Sequence, residues 1–250
     1  MPEEREMPLA EFLKALKDRK EFDGVPYLSH QFPALFDEVP PAMELAMQAF
    51  GNEPDAVNIW IGDERAVSTM HKDHYENMYC VVKGQKHFTL LAPSAVGCLY
   101  EREFPPARYR HAASSEPGEH ETNVIDLAAT KRFHQKYPQH AEWSILSSPD
   151  KGDTPWIPVD PLNIDTERYP MAAELQPLEV VVNAGEVLYL PSLWYHRAAQ
   201  LCPTISVNYW HDMEFDCRYV YFNFVHDIAA AITAQQQEKG ESKAENTSRQ

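Results

Sequence analysis

The sequence predicts a mainly β fold with a few helices, a barrel or sandwich, and three observations carry that expectation. Short runs rich in β-branched and aromatic residues recur with turn signals between them. Helical periodicity is clearest in two stretches, one near each end of the chain. The length of 250 residues also suits a single β-rich barrel that uses the whole chain.

Taken in order, residues 8–18, PLAEFLKALKD, place Leu9, Phe12, Leu13 and Leu16 on one helical face, with Pro8 acceptable in the first turn. VPYLSHQFP follows Gly24 and reads as a short strand holding Tyr27. A proline-punctuated, largely helical connection then runs to about Asn52. DAVNIWIGD alternates as a strand from Asp55. NMYCVV and KHFTLLAP, joined at Lys83-Gly84-Gln85, read as a hairpin. A second hairpin is read in residues 178–191, LEVVVNAGEVLYLP, turned at Asn183-Ala184-Gly185, and TISVNYW, residues 204–210, reads as a further strand. From Cys217 the spacing of Tyr221, Phe224, Val225, Ile228 and Ile232 predicts a helix.

These elements give an N-terminal helical segment over 1–52 and a barrel over 53–216. The mixed, polar stretch 94–154 reads as an insertion in that barrel, not as a second domain. A C-terminal helix over 217–236 follows, and a polar tail over 237–250 is expected to be disordered.

Charge bounds the partners. With 38 acidic and 22 basic residues the formal charge is −16, which argues against a direct nucleic-acid partner or an anionic membrane. The same charge suits a basic substrate, although solubility alone also explains it. Cys80, Cys98, Cys202 and Cys217 are scattered without a C-x-x-C pair, so neither a zinc knuckle nor a disulfide framework is indicated. The expectation is a reduced, intracellular protein, in cytoplasm or nucleus.

The chemistry is concentrated in Ser68-Thr69-Met70-His71-Lys72-Asp73-His74. On an extended segment His71 and Asp73 leave the same face, roughly 7 Å apart at Cα. An imidazole and a carboxylate on one face, joined by a group from elsewhere, suit a non-haem iron that needs open coordination positions. The third ligand expected is His196, in Leu190-Pro191-Ser192-Leu193-Trp194-Tyr195-His196, after the second hairpin. The other histidines read differently. His74 faces away from the pair as a supporting or surface group, and His87, in a strand with no acidic neighbour in sequence, reads as a satisfied barrel residue. His211, which follows a strand and precedes Asp212, reads as easily as a surface pair as a site group. His30, His111, His120, His134, His140 and His226 read as surface.

The run VNIWIGDERAVSTMHKDHYENMYCVVKGQKHF, together with TPWIPVDPL, GEVLYLPSLWYHR and VNYWHDMEFD, resembles the JmjC family of Fe(II)- and 2-oxoglutarate-dependent oxygenases. The resemblance implies a double-stranded β-helix, the jelly-roll or cupin-like barrel, with N- and C-terminal helices. It implies that His71, Asp73 and His196 hold iron and are the catalytic set. It places Lys86, fifteen positions after His71, against the distal carboxylate of 2-oxoglutarate, with the Tyr27 hydroxyl joining it. Ser68 stands near the same group, and Asn77 and Asn208 match polar positions lining the co-substrate pocket. O₂ is the other reactant.

Within the family the run is similar to a (3S)-lysyl hydroxylase whose targets are GTPases of the developmentally regulated GTP-binding family. The resemblance therefore implies a protein substrate presenting a lysine, and is compatible with a homodimer. Relatives carry a longer N-terminal part, whereas 70 residues precede His71 here, so part of the fold and of the substrate groove is expected to be missing. Two alternatives stand beside this reading: an endopeptidase acting on histone tails, and a non-catalytic cupin-type binding module. Trp60, Tyr79, Trp194 and Tyr195 are read either as pocket walls or as core. The acidic run Asp212, Glu214, Asp216 is read either as a lure for a substrate lysine or as a solvated face.

Overall fold

The alternating runs become strands, and a bend between successive strands organises them. The computed structural model describes residues 2–18, 24–31, 43–113, 124–148 and 152–247, the side chains of 233–247 excepted. In chain order the elements are α1 (Leu9–Lys17), β1 (Leu28–Gln31), α2 (Glu44–Phe50), β2 (Ala56–Gly62), β3 (Val67–His71), β4 (Tyr75–Lys83), β5 (Gln85–Leu91) and α3 (Val96–Leu99). They continue with β6 (Arg102–Phe104), β7 (Ala107–His111), β8 (Val124–Ile125), α4 (Leu127–Lys136), β9 (Trp143–Ser147) and β10 (Thr154–Trp156). The last are β11 (Leu178–Asn183), β12 (Val187–Leu190), β13 (Tyr195–Gln200), β14 (Thr204–Asp212) and α5 (Cys217–Thr247).

Two antiparallel sheets form the barrel, in the orders β1-β2-β14-β4-β12 and β11-β5-β13-β3. The order β2, β14, β4, β12 in one sheet is the order β3, β13, β5, β11 in the other. Each pair β2–β3, β4–β5, β11–β12 and β13–β14 is thus one arm that leaves the first sheet at a corner and continues in the second. Four bent arms wound side by side are the double-stranded β-helix.

That geometry corrects the two hairpins. β4 pairs with β12 and β14, and β5 pairs with β11 and β13. The neighbours in sequence are therefore arms of a corner, not partners in a ladder. Only Gly84 separates β4 from β5, and one residue is too short for a hairpin loop, which needs about two. Gly84 has φ +86, and a Cβ there would lie 2.5 Å from the carbonyl oxygen of Pro203 and 2.6 Å from Thr204 Oγ1. The β4–β5 corner is packed directly on the β13–β14 corner, which only glycine permits. Thr204 locks the contact by donating to the Gln85 carbonyl at 3.0 Å and accepting from its N–H at 3.2 Å.

The chain divides into two compact units, and their borders differ from those read in the sequence. Val25–Glu101 and Ile157–Gln250 form the barrel unit, while Met1–Gly24 groups with Arg102–Trp156. The strand after Tyr27 belongs to the barrel because β1 extends the sheet along β2, from Leu28 opposite Ile61 to Gln31 opposite Asn58. In the second unit β7, β9 and β8 form a sheet and β6 pairs with β10. Asp126 caps α4 by accepting from the Ala129 N–H at 2.8 Å, and Phe133 packs on Tyr109.

Within the barrel unit Val81, Phe88, Leu90 and Leu190 pack between the sheets. A larger apolar group joins Leu91, Leu99, Tyr169, Tyr195 and Phe222 at one end. α5 meets it through Phe222 and Tyr219, whereas Tyr221, Phe224, Val225, Ile228 and Ile232, the stripe that predicted the helix, are exposed. α5 also runs to Thr247, past residue 236. Glu, Gln, Lys and Ala dominate that stretch, and their helix propensity suits its helical backbone. Among the described residues no helix is long and apolar enough to cross a membrane, and the four cysteines are unbridged.

Candidate metal centre

β3 and β13 are adjacent antiparallel strands, and their register sets His71 directly opposite His196. The two rings lie 4.2 Å apart between centroids. Asp73 follows the end of β3, and its carbonyl accepts from the Leu193 N–H at 2.9 Å, tying the segment after β3 to the one before β13. His196 Nε2 lies 3.6 Å from Asp73 Oδ2. One ligand atom each from His71, Asp73 and His196 fall within 4.8 Å of one another.

The imidazoles are oriented for coordination. His71 Nδ1 is 2.7 Å from the Thr69 carbonyl and His196 Nδ1 is 3.1 Å from the Trp194 carbonyl. A carbonyl can only accept, so both rings carry a proton on Nδ1, which leaves Nε2 as the nitrogen each can offer to a metal. Burial, then the proximity of His71, pushes His196 down to about 3, which keeps it neutral. Burial raises the Asp73 carboxyl, against the opposing pull of His71 and His74. A carboxylate that burial penalises, beside two imidazoles, forms a donor set that a divalent cation would stabilise.

The other end of the same cleft, an open space of about 350 Å³, is built around a lysine. Lys86 rises from β5 into it and is only 2% exposed. Its ammonium donates to the hydroxyls of Tyr79 and, at 3.4 Å, Tyr27. The rings of Tyr79, Trp60, Tyr27 and Phe88 surround it at 4.6 to 6.0 Å from their centroids. Among the described residues no carboxylate pairs with it, and burial pulls its pKa down to about 7. A buried cation without a counter-charge is costly, and a carboxylate brought in by a ligand would supply the missing partner.

Tyr27 is held by hydrogen bonds from Gln200 and Ser68, and burial pushes its hydroxyl up to about 12. Ser68 thus acts through Tyr27. Asn208, fully buried, accepts from the Trp60 indole at 2.7 Å and donates to Asn77 Oδ1 at 3.0 Å, forming a polar wall. All eight residues singled out in the sequence, Tyr27, Ser68, His71, Asp73, Asn77, Lys86, His196 and Asn208, line this one cleft.

Tyr79, Trp60, Phe88 and Trp210 line it as well. Trp60 and Tyr79 are both wall and core: they line the cleft and belong to or pack on the apolar group between the sheets. Trp210 and Phe88 were missed, although strand parity was available as a signal. Trp210 is two residues from Asn208 and Phe88 two from Lys86, on the same faces.

The remaining histidines sort by contacts that sequence does not display. His87 does have an acidic neighbour, Glu179 on β11, at 2.5 Å. His211 is not a surface pair with Asp212: it is fully buried, with Nδ1 on Asn52. His74 is exposed beside Phe215 and Tyr219, as expected. His226 is half-buried, 3.9 Å from Glu101. His30 is exposed on β1, His111, His134 and His140 are half-buried against aromatic rings or backbone, and His120 lies outside the described residues. Tyr195 is core, with no exposure. In the acidic run Asp212 and Glu214 are exposed, while Asp216 accepts from the Arg218 N–H at 2.8 Å at the start of α5.

Comparison with known proteins accords with this geometry. A family model described as a cupin-like domain matches residues 1–217. A human protein named bifunctional peptidase and (3S)-lysyl hydroxylase JMJD7 is 39% identical over 238 residues, 92% of this chain and 67% of its own length. Lysine-specific demethylase JMJ32 of Arabidopsis thaliana is 40% identical over 193 residues, 74% of this chain and 50% of its own. JmjC domain-containing protein E of Dictyostelium discoideum is 38% identical over 210 residues, 79% of this chain and 54% of its own. The chain thus spans about two thirds of the human relative and about half of the other two. With a bent-arm barrel and a His-Asp-His set at its open end, the chain belongs to the cupin-like JmjC family.

Proposed function

We propose that the chain is an Fe(II)- and 2-oxoglutarate-dependent protein oxygenase that hydroxylates a lysine side chain. The observation that carries this reading is Lys86, a buried ammonium that no carboxylate pairs with among the described residues, in the same cleft as three converging metal ligands. A dicarboxylate co-substrate would supply that counter-charge at one end and meet the metal at the other.

Iron and 2-oxoglutarate, when bound, supply the oxidation that places one oxygen from O₂ in a substrate C–H bond. The chain's own residues do the rest. His71, Asp73 and His196 would hold the metal from one side, leaving positions free on the other. Lys86 and Tyr27 would donate to the distal carboxylate, and Asn77, Asn208 and Trp60 would fix the width of the channel between. Orientation of this kind supplies much of what a positioned reaction needs, and no protein base is required to remove a substrate proton.

The finer reading is (3S) hydroxylation of a lysine in a GTPase of the developmentally regulated GTP-binding family. It is supported by the name of the human relative, and the charge of −16 favours a basic target. A homodimer is supported by the apolar residues that α5 exposes. The test is mass spectrometry of a lysine-bearing GTPase peptide incubated with the chain, Fe(II), 2-oxoglutarate and air, beside His71→Ala. A one-oxygen gain on lysine, absent from the variant, is expected. Cleaved peptide in place of that gain would favour a peptidase, and an unchanged peptide with no succinate formed would favour a non-catalytic module.

A further inference from the structure

On either side of the ligands the chain alternates. Lys72 sits between His71 and Asp73, and Tyr195 immediately precedes His196. Neighbours along a strand leave opposite faces, so these two side chains point behind the ligand face. Both meet one carboxylate there. Glu101, just after α3, accepts from Lys72 Nζ through Oε1 at 2.5 Å and from the Tyr195 hydroxyl through Oε2 at 3.1 Å.

The junction is largely closed to water, with side-chain exposures of 13% for Lys72 and 7% for Glu101. Lys72 Nζ also lies over the rings of Tyr195 and Phe222, at 5.4 and 5.6 Å from their centroids. His226 of α5 approaches Glu101 Oε2 at 3.9 Å. The cleft lining does not include Glu101, Lys72 or Tyr195, so all three stand behind the site.

We propose that Glu101 is a positioning residue for the metal centre. It is a two-oxygen bracket that holds the His71–Asp73 segment and the His196 strand in register from behind. The proposal rests on the metal reading above. Three ligands from two segments bind tightly only if those segments are held within a fraction of an ångström, and removing such outer partners typically weakens a metal about 10- to 100-fold.

The experiment is an Mn(II) titration of the full chain, followed by loss of the free-ion paramagnetic signal, with thermal unfolding of the same metal-free samples. Glu101→Gln should bind Mn(II) about tenfold or more weakly, and should unfold earlier because Lys72 is left buried without its counter-charge. The double variant Lys72→Met with Glu101→Gln removes that lone charge at similar volume. It should recover most of the thermal stability and keep the weak Mn(II) binding. Wild-type affinity in Glu101→Gln, or affinity that recovers together with stability in the double variant, would overturn the bracket and leave the metal reading intact. Failure of the wild-type chain to bind Mn(II) would overturn both.

Discussion

The two ends of the cleft are built on opposite principles. At the deep end Lys86 is sealed among four aromatic rings, paired among the described residues with hydroxyls alone, and its burial lowers its own pKa to about 7. At the open end His71 and Asp73 are half-buried, and the imidazoles keep their donor atoms free by spending their ring protons on backbone carbonyls. The deep end is a charge waiting for its opposite, and it selects by sign and depth. The open end is a set of lone pairs and selects by coordination geometry. A ligand that satisfies both carries an anionic group at one terminus and metal-binding atoms at the other, as the proposed dicarboxylate does.

The comparison breaks most severely at the open end. His71→Ala leaves a one-imidazole, one-carboxylate remnant, so Mn(II) binding should fall beyond detection and turnover should vanish. The metal-free fold should hold, because His71 is only half-buried at the end of β3. Circular dichroism beside a metal titration checks both halves of that expectation.

Lys86→Met attacks the deep end and should separate function from stability. A charge-assisted hydrogen bond is worth about 1.5–3 kcal/mol, so 2-oxoglutarate affinity should drop roughly 10- to 100-fold. The same change removes an uncompensated buried ammonium, so the ligand-free chain should unfold at a higher temperature than wild type. A variant that lost both stability and binding would mean that Lys86 holds the core and not a ligand.

The pH dependence sharpens the same contrast. The unfolded chain keeps the Lys86 proton up to about 10.5, whereas the folded, ligand-free chain releases it near 7. Between those values the unfolded state holds more protons, so the ligand-free chain gains stability from this residue as pH rises. Dicarboxylate binding needs the ammonium, so its affinity should weaken by up to tenfold per unit above pH 7. Calorimetry of 2-oxoglutarate with Mn(II) from pH 6 to 9 should show that slope in wild type and lose it in Lys86→Met.

Asn208→Ala is the mildest perturbation, since it touches neither end directly. It strands the Trp60 indole N–H and the Asn77 carbonyl, and an unsatisfied buried group costs about 1–3 kcal/mol. Urea unfolding should register that loss, with metal affinity unchanged.

How much of this was legible follows from what periodicity encodes. Strand alternation and the two-residue spacing of His71 and Asp73 are local, so both could be read directly. Which strands pair is not local. Gly84 reads equally as a hairpin turn or a corner, and only its contact with Pro203 and Thr204 decides. The apolar stripe on α5 announced a helix correctly but faces outward, because periodicity shows that a face exists and not what covers it. His87 and Glu179 meet across two strands that lie some ninety positions apart in sequence, as their hydrogen-bonded neighbour Thr89 also shows. Glu101 carried no signal of its own: it reads as one charge in Glu101-Arg102-Glu103, and its two hydrogen-bond partners are visible only after folding.

The central claim is that the two ends act on one ligand. It is tested most directly by titrating 2-oxoglutarate calorimetrically into wild type with and without Mn(II), and into Lys86→Met with Mn(II). Tight binding only where both Mn(II) and Lys86 are present is the predicted result. Equal binding without the metal, or undiminished binding in Lys86→Met, would contradict it.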